Sequence, residues 1–142
     1  DLETHIEWVS QLQPRWSGEP GEALEFARKA FAGAPEGHRI GCVIAMAHIE
    51  DWVESDSKSC LVTPDIQDEL LEAAEHSILH PAYERRPGWQ GDFNIFAMAL
   101  SLAAERIALP RVFDELDGAY TSWPWKYMAQ PEKMYARARR NA

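Results

Sequence analysis

Apolar side chains recur along this chain every three or four positions, and no stretch alternates with period two for long enough to make a convincing strand. Leu2, Ile6, Val9 and Leu12 share one helical face, which Asp1 can cap and Pro14 ends. Pro20 opens a second run in which Ala23, Leu24, Ala27 and Phe31 lie together, closed by Gly33 and Pro35. These two segments are expected to fold back on each other. From about Arg39 to Val53 the chain is apolar almost all round, through Ile40, Cys42, Val43, Ile44, Met46, Ile49 and Trp52, and such a helix belongs in the centre of a core.

A polar loop over 55–63 leads to Thr63-Pro64, a capping hydroxyl followed by proline at the first helical position. Ile66, Leu70, Ala73, Ala74 and Ser77 form the inner face of that helix, and Pro81 sets its expected end. The irregular stretch 81–91 contains Arg85-Arg86-Pro87-Gly88-Trp89, the first place to expect a binding loop. Asp92 is the expected cap of an Ala-rich helix carrying Ile95, Phe96, Ala99, Leu100, Leu102, Ala103 and Ile107. Pro110 opens a short segment with Val112, Phe113 and Leu116, a Trp123-Pro124-Trp125 loop follows, and a last helix starts at Pro131.

About seven helices in near-consecutive hairpins make an all-α chain, stacked as a short α-α superhelix or folded as a compact bundle. The stacked array is preferred, although helix pairs starting near residues 2, 36 and 92 give no fixed period. A length of 142 residues suits one domain, residues 1–142. The start at Asp1 rather than Met makes the chain a candidate fragment of a longer polypeptide.

Charge then narrows the partners. The chain has 23 acidic and 14 basic residues, a net charge of -9, which opposes a nucleic-acid or anionic-membrane surface because both depend on clustered Lys and Arg. The last segment is the exception: Lys133, Arg137, Arg139 and Arg140 outnumber Glu132, and cations near a helix C-terminus complement its dipole. No apolar run approaches the roughly 20 residues of a membrane span. Cys42 and Cys60 have neither the spacing of a metal or redox pair nor the density of a disulfide scaffold, so a reducing cytoplasm is expected.

The blocks Pro14-Arg15-Trp16-Ser17-Gly18, Ala23-Leu24-Glu25-Phe26-Ala27-Arg28, Ala34-Pro35-Glu36-Gly37 and Ala45-Met46-Ala47-His48-Ile49-Glu50 resemble an uncharacterised bacterial family of tetratricopeptide-like helical proteins. The resemblance covers about the first 55 residues and, more loosely, Trp123 to Tyr127. It implies stacked helix pairs and no particular activity. Ser17 stands where that block carries its first Gly, and Pro35 arrives early after Ala27, Phe31 and Ala34 for the tetratricopeptide pattern.

No glycine-rich phosphate loop and no nucleophile arrangement is present, so no catalytic residue, metal or cofactor is expected. Two constellations support an alternative, a small metal-dependent or hydrolytic enzyme. His76 and His80, with Glu72, are spaced to project from one helical face, although they lack the His-Glu-x-x-His and Glu-x-x-His patterns. His48 lies near Asp51 and is either a proton carrier or, preferably, a structural histidine joining two helices. His38 and Cys42, one turn apart, lack oxyanion donors.

Six tryptophans are many for this length. Trp8 and Trp52 fall among core positions, whereas Arg15 with Trp16, Arg85 and Arg86 with Trp89, and Trp123 with Trp125 lie in loops. There, aromatic and Arg residues are the usual anchors of recognition. The plainer reading has them plug gaps between helix pairs. The expected function is a non-enzymatic module that holds a protein or peptide partner in a groove, by aromatic anchoring and by Arg pairing to acidic groups.

Overall fold

The computed structural model describes residues 22–142, and among them the chain is helical without a strand. The described helices are α1 (Glu22–Ala32), α2 (Cys42–Glu54), α3 (Pro64–Glu75), α4 (Trp89–Leu102), α5 (Ala108–Leu116), α6 (Ser122–Trp125) and α7 (Pro131–Asn141), with a 3-10 turn at Arg39–Gly41 before α2. No described helix is long and apolar enough to cross a membrane. The segment carrying Leu2, Ile6, Val9, Leu12 and Trp8 lies outside the described residues.

Two helices dominate the interior. Every residue from Cys42 to Glu50 in α2 and from Asp92 to Leu100 in α4 is buried. A large apolar side chain taken out of water stabilises by roughly 1.5–3 kcal/mol, so this pair is the main source of cohesion. α4 packs against α2 and also against α3, α5, α6 and α7, while α1 and α3 flank α2. In a stacked array each unit would touch only its sequence neighbours. A helix contacted from so many directions makes the compact bundle the arrangement that forms.

The starts of α3 and α7 follow their predicted chemistry, with proline in the first turn of each, whereas α5 starts at Ala108, two residues before Pro110. Thr63 Oγ1 accepts from the Ile66 N–H at 3.2 Å, with Pro64 at the first helical position. Three further boundaries differ, each for a local reason. α3 stops at Glu75, short of Pro81, because its last carbonyls are used by the next turn: Ser77 Oγ donates to Ala73 O (2.6 Å) and the Leu79 N–H donates to Ala74 O (2.9 Å). α4 starts at Trp89, after left-handed Gly88, so Asp92 is not its cap; it lies inside the helix, 3% exposed and turned into the protein. α4 ends at Leu102 because the backbone turns left-handed at Ala104. The buried Glu105 carboxylate then accepts the N–H groups of Ile107 (3.0 Å), Ala108 (2.8 Å) and Leu109 (3.0 Å), capping α5. Ile107, expected inside, is 62% exposed at this junction. The Trp123-Pro124-Trp125 segment, expected as loop, forms the four-residue α6, in which Trp123 itself keeps an extended backbone (φ -93°, ψ 133°).

Gly41 permits the close approach of α2 to the end of α3: a Cβ there would lie 2.6 Å from Ser77 Cβ and 3.3 Å from Ala73 O. Around Gly91, in the first turn of α4, nothing lies within 4 Å of a modest Cβ. Gly41→Ala is therefore expected to destabilise by roughly 1–3 kcal/mol through overpacking, whereas Gly91→Ala stabilises by about 0.5 kcal/mol. Chemical denaturation of the two variants measures both, and a Gly41→Ala protein as stable as the parent would contradict this account of the α2–α3 contact.

Candidate functional site

Two connecting segments meet at one end of the bundle, 35–39 between α1 and α2 and 76–88 between α3 and α4. The Gly37 N–H donates to the His76 carbonyl (2.8 Å), and a Cβ on Gly37 would lie 2.7 Å from Ala82 Cβ and 2.8 Å from its carbonyl carbon. The backbones thus touch where only glycine fits. Glu36 then bridges two histidines, with Oε1 3.3 Å from His76 Nδ1 and Oε2 3.0 Å from His80 Nε2.

Hydrogen bonding fixes which ring nitrogens carry protons. His80 Nδ1 accepts the Ala82 N–H (3.0 Å), so in the neutral ring Nε2 carries the proton and donates to Glu36. A metal at Nε2 would require an imidazolate, because Nδ1 is already an acceptor. His76 also lies beyond the end of α3, and Glu36 rather than Glu72 is the carboxylate between the rings. Among the described residues no group of three His, Cys, Asp or Glu is arranged to hold a metal ion. His38 is locked in the same way, its Nδ1 accepting the Ile40 N–H at 3.0 Å, which leaves Nε2 as the ring's donor.

Behind these loops lies a buried ion cluster. Asp92 accepts from Arg39 through Nη2 (2.9 Å) and Nε (3.2 Å), and from the Tyr83 hydroxyl (2.8 Å). The aspartate of α4 therefore holds both connecting segments to the bundle. Burial, reinforced by the Asp92 charge, pushes the Tyr83 phenol far above its ordinary range. Burial and then Asp92 also push the Cys42 thiol well up, so it stays protonated and is no nucleophile.

His48 belongs to a different cluster. It is 1% exposed and pairs through Nε2 with Glu69 Oε1 at 2.8 Å, while Arg28 donates to the same carboxylate through Nε (2.7 Å) and Nη2 (3.0 Å). Asp51, the partner expected from spacing, is exposed on another part of α2. Arg28, His48 and Glu69 come from α1, α2 and α3, so the histidine joins helices. The Glu69 carboxyl is held down to about 2, chiefly by the His48 hydrogen bond and further by Arg28, against the opposing effect of burial.

Three small clefts run along the loop end and share walls. The first, about 190 Å³, is bounded by Phe31, Ala34, Pro35, Glu36 and His76. Pro35 and Glu36 also border the second, about 200 Å³, together with His38, Arg39, Tyr83 and Arg86. Tyr83 in turn borders the third, about 310 Å³, with His80, Arg85, Phe93, Arg111 and Glu115. Small-molecule pockets usually occupy roughly 300–1,000 Å³; the first two clefts fall below that range and the third lies at its lower edge, a scale that suits single side chains.

Two of the seven expected binding residues border this row, Arg86 the second cleft and Arg85 the third, and Trp89 lies behind Arg85. The Arg85 guanidinium lies 4.2 Å from the Trp89 ring centroid and pairs with Glu115, and Trp89 meets Phe93 edge-on at 5.2 Å. Arg86 is exposed and pairs with neighbouring Glu84 at 2.9 Å. Trp125 is not part of the surface: it is 1% exposed and donates through Nε1 to Asn94 Oδ1 (2.9 Å), which makes it a core residue. Trp123 is half-buried against the same core. Arg15 and Trp16 lie outside the described residues. Spacing gave no sign of Glu36, Arg39, Tyr83 or Asp92, whose convergence depends on how the two loops cross.

No family model matches the chain, and no curated protein or solved structure is significantly similar to it.

The lowered Glu69 carboxyl fixes a sign for acid stability. Its folded value of about 2 lies below the ordinary 4.5, so its contribution is complete above about pH 4.5 and is lost as pH falls toward 2. Glu69→Gln is expected to cost on the order of 2 kcal/mol at neutral pH. The gap from wild type should close between about pH 4.5 and 2 in denaturation curves. A gap that is constant through this window would remove the ionic role of Glu69.

Proposed function

We propose that this chain is a non-enzymatic interaction module that holds an extended segment of a partner protein along the row of three clefts. The observation that carries the reading is the row itself: side-chain-sized depressions in succession, sharing walls at Glu36 and Tyr83. Alternate side chains of an extended peptide point the same way at intervals of roughly 7 Å, which suits successive small pockets. The first cleft offers an apolar wall of Phe31, Ala34 and Pro35 opposite the polar Glu36, Glu72 and His76, so it can take the apolar part of a side chain. In the second, Arg86 is exposed and bound only by its neighbour Glu84 among the described residues, so an acidic side chain can exchange with that weak surface pair. Arg85, held over Trp89, supplies a cationic wall to the third, beside the Tyr83 and Phe93 rings.

The Arg39–Asp92–Tyr83 cluster and the Glu36 bridge support this reading, because they order the loops before a ligand arrives and so reduce the entropy lost on binding. Enzymatic readings built on His48 with Asp51 or on His76 with His80 have less support, since each histidine already faces a structural carboxylate, Glu69 or Glu36. The free cysteines Cys42 and Cys60 fit a reducing, cytoplasmic setting.

Selection from a random peptide library displayed on phage tests the proposal. The wild type is expected to enrich peptides that combine an acidic residue with an apolar one two or four positions away. Arg86→Glu should weaken their binding by about 2 kcal/mol, roughly thirtyfold, without changing the melting temperature appreciably. Failure to enrich any peptide, or unchanged affinity in Arg86→Glu, would contradict it.

A further inference from the structure

Every described arginine outside α7 has a polar partner. Arg28, Arg39, Arg85, Arg86 and Arg111 each face a carboxylate, and Arg106 reaches the Asn141 carbonyl. On α7, in contrast, Lys133, Arg137 and Arg140 are exposed and have no ion-pair or hydrogen-bond partner among the described residues. Lys29 on α1 and Lys126 after α6 also lack such partners among the described residues, but each stands alone, so in a chain with 23 acidic residues for 14 basic ones α7 is where exposed unpaired cations cluster. Positions 133, 137 and 140 fall on one helical face and span about 10 Å at 1.5 Å per residue. The inner face of α7, with Tyr135 and Ala138, is buried in the bundle, so the stripe points away from it.

α3 carries the opposite pattern. Asp65, Asp68 and Glu72 are exposed and without such partners among the described residues, at spacings that also cover about 10 Å of one face. Its inner residues Leu70, Ala73 and Ala74 are buried. No ion pair joins the two stripes within one chain.

We propose that the cationic stripe of α7 docks on the acidic stripe of α3 in a second copy of this chain. The stripes match in length and in number of charges. The net charge of -9 on each copy opposes approach, but that repulsion acts through solvent and is screened within about 8 Å at physiological salt, whereas the stripes meet at contact distance. The same net charge disfavours a polyanionic occupant such as nucleic acid, which would meet the acidic body around the stripe. Each copy offers one stripe of each sign, so the contact either closes reciprocally in a pair or repeats along a larger assembly.

The test is a charge exchange read by solution mass. Sedimentation equilibrium of the wild type across the micromolar to millimolar range is expected to show mass rising above the monomer. The double variant Arg137→Glu/Arg140→Glu, acidic on both stripes, and the double variant Asp68→Lys/Glu72→Lys, basic on both, should each associate roughly tenfold more weakly or not at all. An equimolar mixture of the two pairs every stripe with its opposite and should regain association at least equal to the wild type. All four positions are exposed, so both variants should remain folded, with melting lowered only slightly where Glu replaces the cations that complement the C-terminal end of α7. A monomeric wild type throughout the range, undiminished association in either variant, or no recovery in the mixture would each overturn the proposal.

Discussion

Two helices with almost no polar face, α2 and α4, set the terms for the rest of the molecule. Neither can lie at a surface, so each must be covered on all sides, and the other helices are arranged to do it. The few polar side chains inside these helices need partners, because an unpaired buried polar or charged group costs several kcal/mol. His48 finds Glu69 on α3, Glu50 accepts from the Tyr127 hydroxyl, Asp92 takes Arg39 and Tyr83, and Asn94 accepts from Trp125. These pairings fix α3, the two connecting loops and the α6 segment against the central pair. Apolar burial supplies the cohesion, and these polar contacts select one orientation among many that would bury similar area.

The proposed binding row follows from the same constraint. Asp92 is the buried polar residue of α4 nearest the loop end, and its partners Arg39 and Tyr83 come from both connecting segments. Those segments are therefore held as walls and do not hang free, and the clefts lie between them. The Gly37–Ala82 approach and the Glu36 bridge complete the same junction. Recognition would be carried by loops whose shape is set by a buried aspartate, with Arg85 and Arg86 on the solvent side.

Much of the fold was legible from residue spacing. The continuous apolar character of Cys42 to Val53 marked the central helix, Thr63-Pro64 marked the start of α3, and Pro131 marked that of α7. Features that depend on tertiary contact were not legible. Asp92 looks like a cap in sequence, but Gly88 starts the helix earlier and leaves the aspartate inside. Glu105 looks like a surface acid and is a buried cap. Trp125 looks like a loop anchor, yet its indole N–H has a buried acceptor in Asn94, which no local pattern announces. Glu69 was hidden within the acidic run of α3, although its place beside Leu70 and one turn before Ala73 put it at the border of the inner face. Of the surface site, the Arg85-Arg86-Trp89 cluster was visible as composition, and the Tyr83 and Glu36 walls were not.

Native-state amide hydrogen exchange tests the central role of the α2–α4 pair most directly. Amides in the buried runs 43–50 and 95–100 are predicted to exchange only through global unfolding, with an opening free energy equal to the stability measured by denaturant. Those of α7 and the 80–88 loop should open at lower free energy. Faster exchange at Met46 or Met98 than along α7 would contradict the account, because the two helices would then not be the core around which the others assemble.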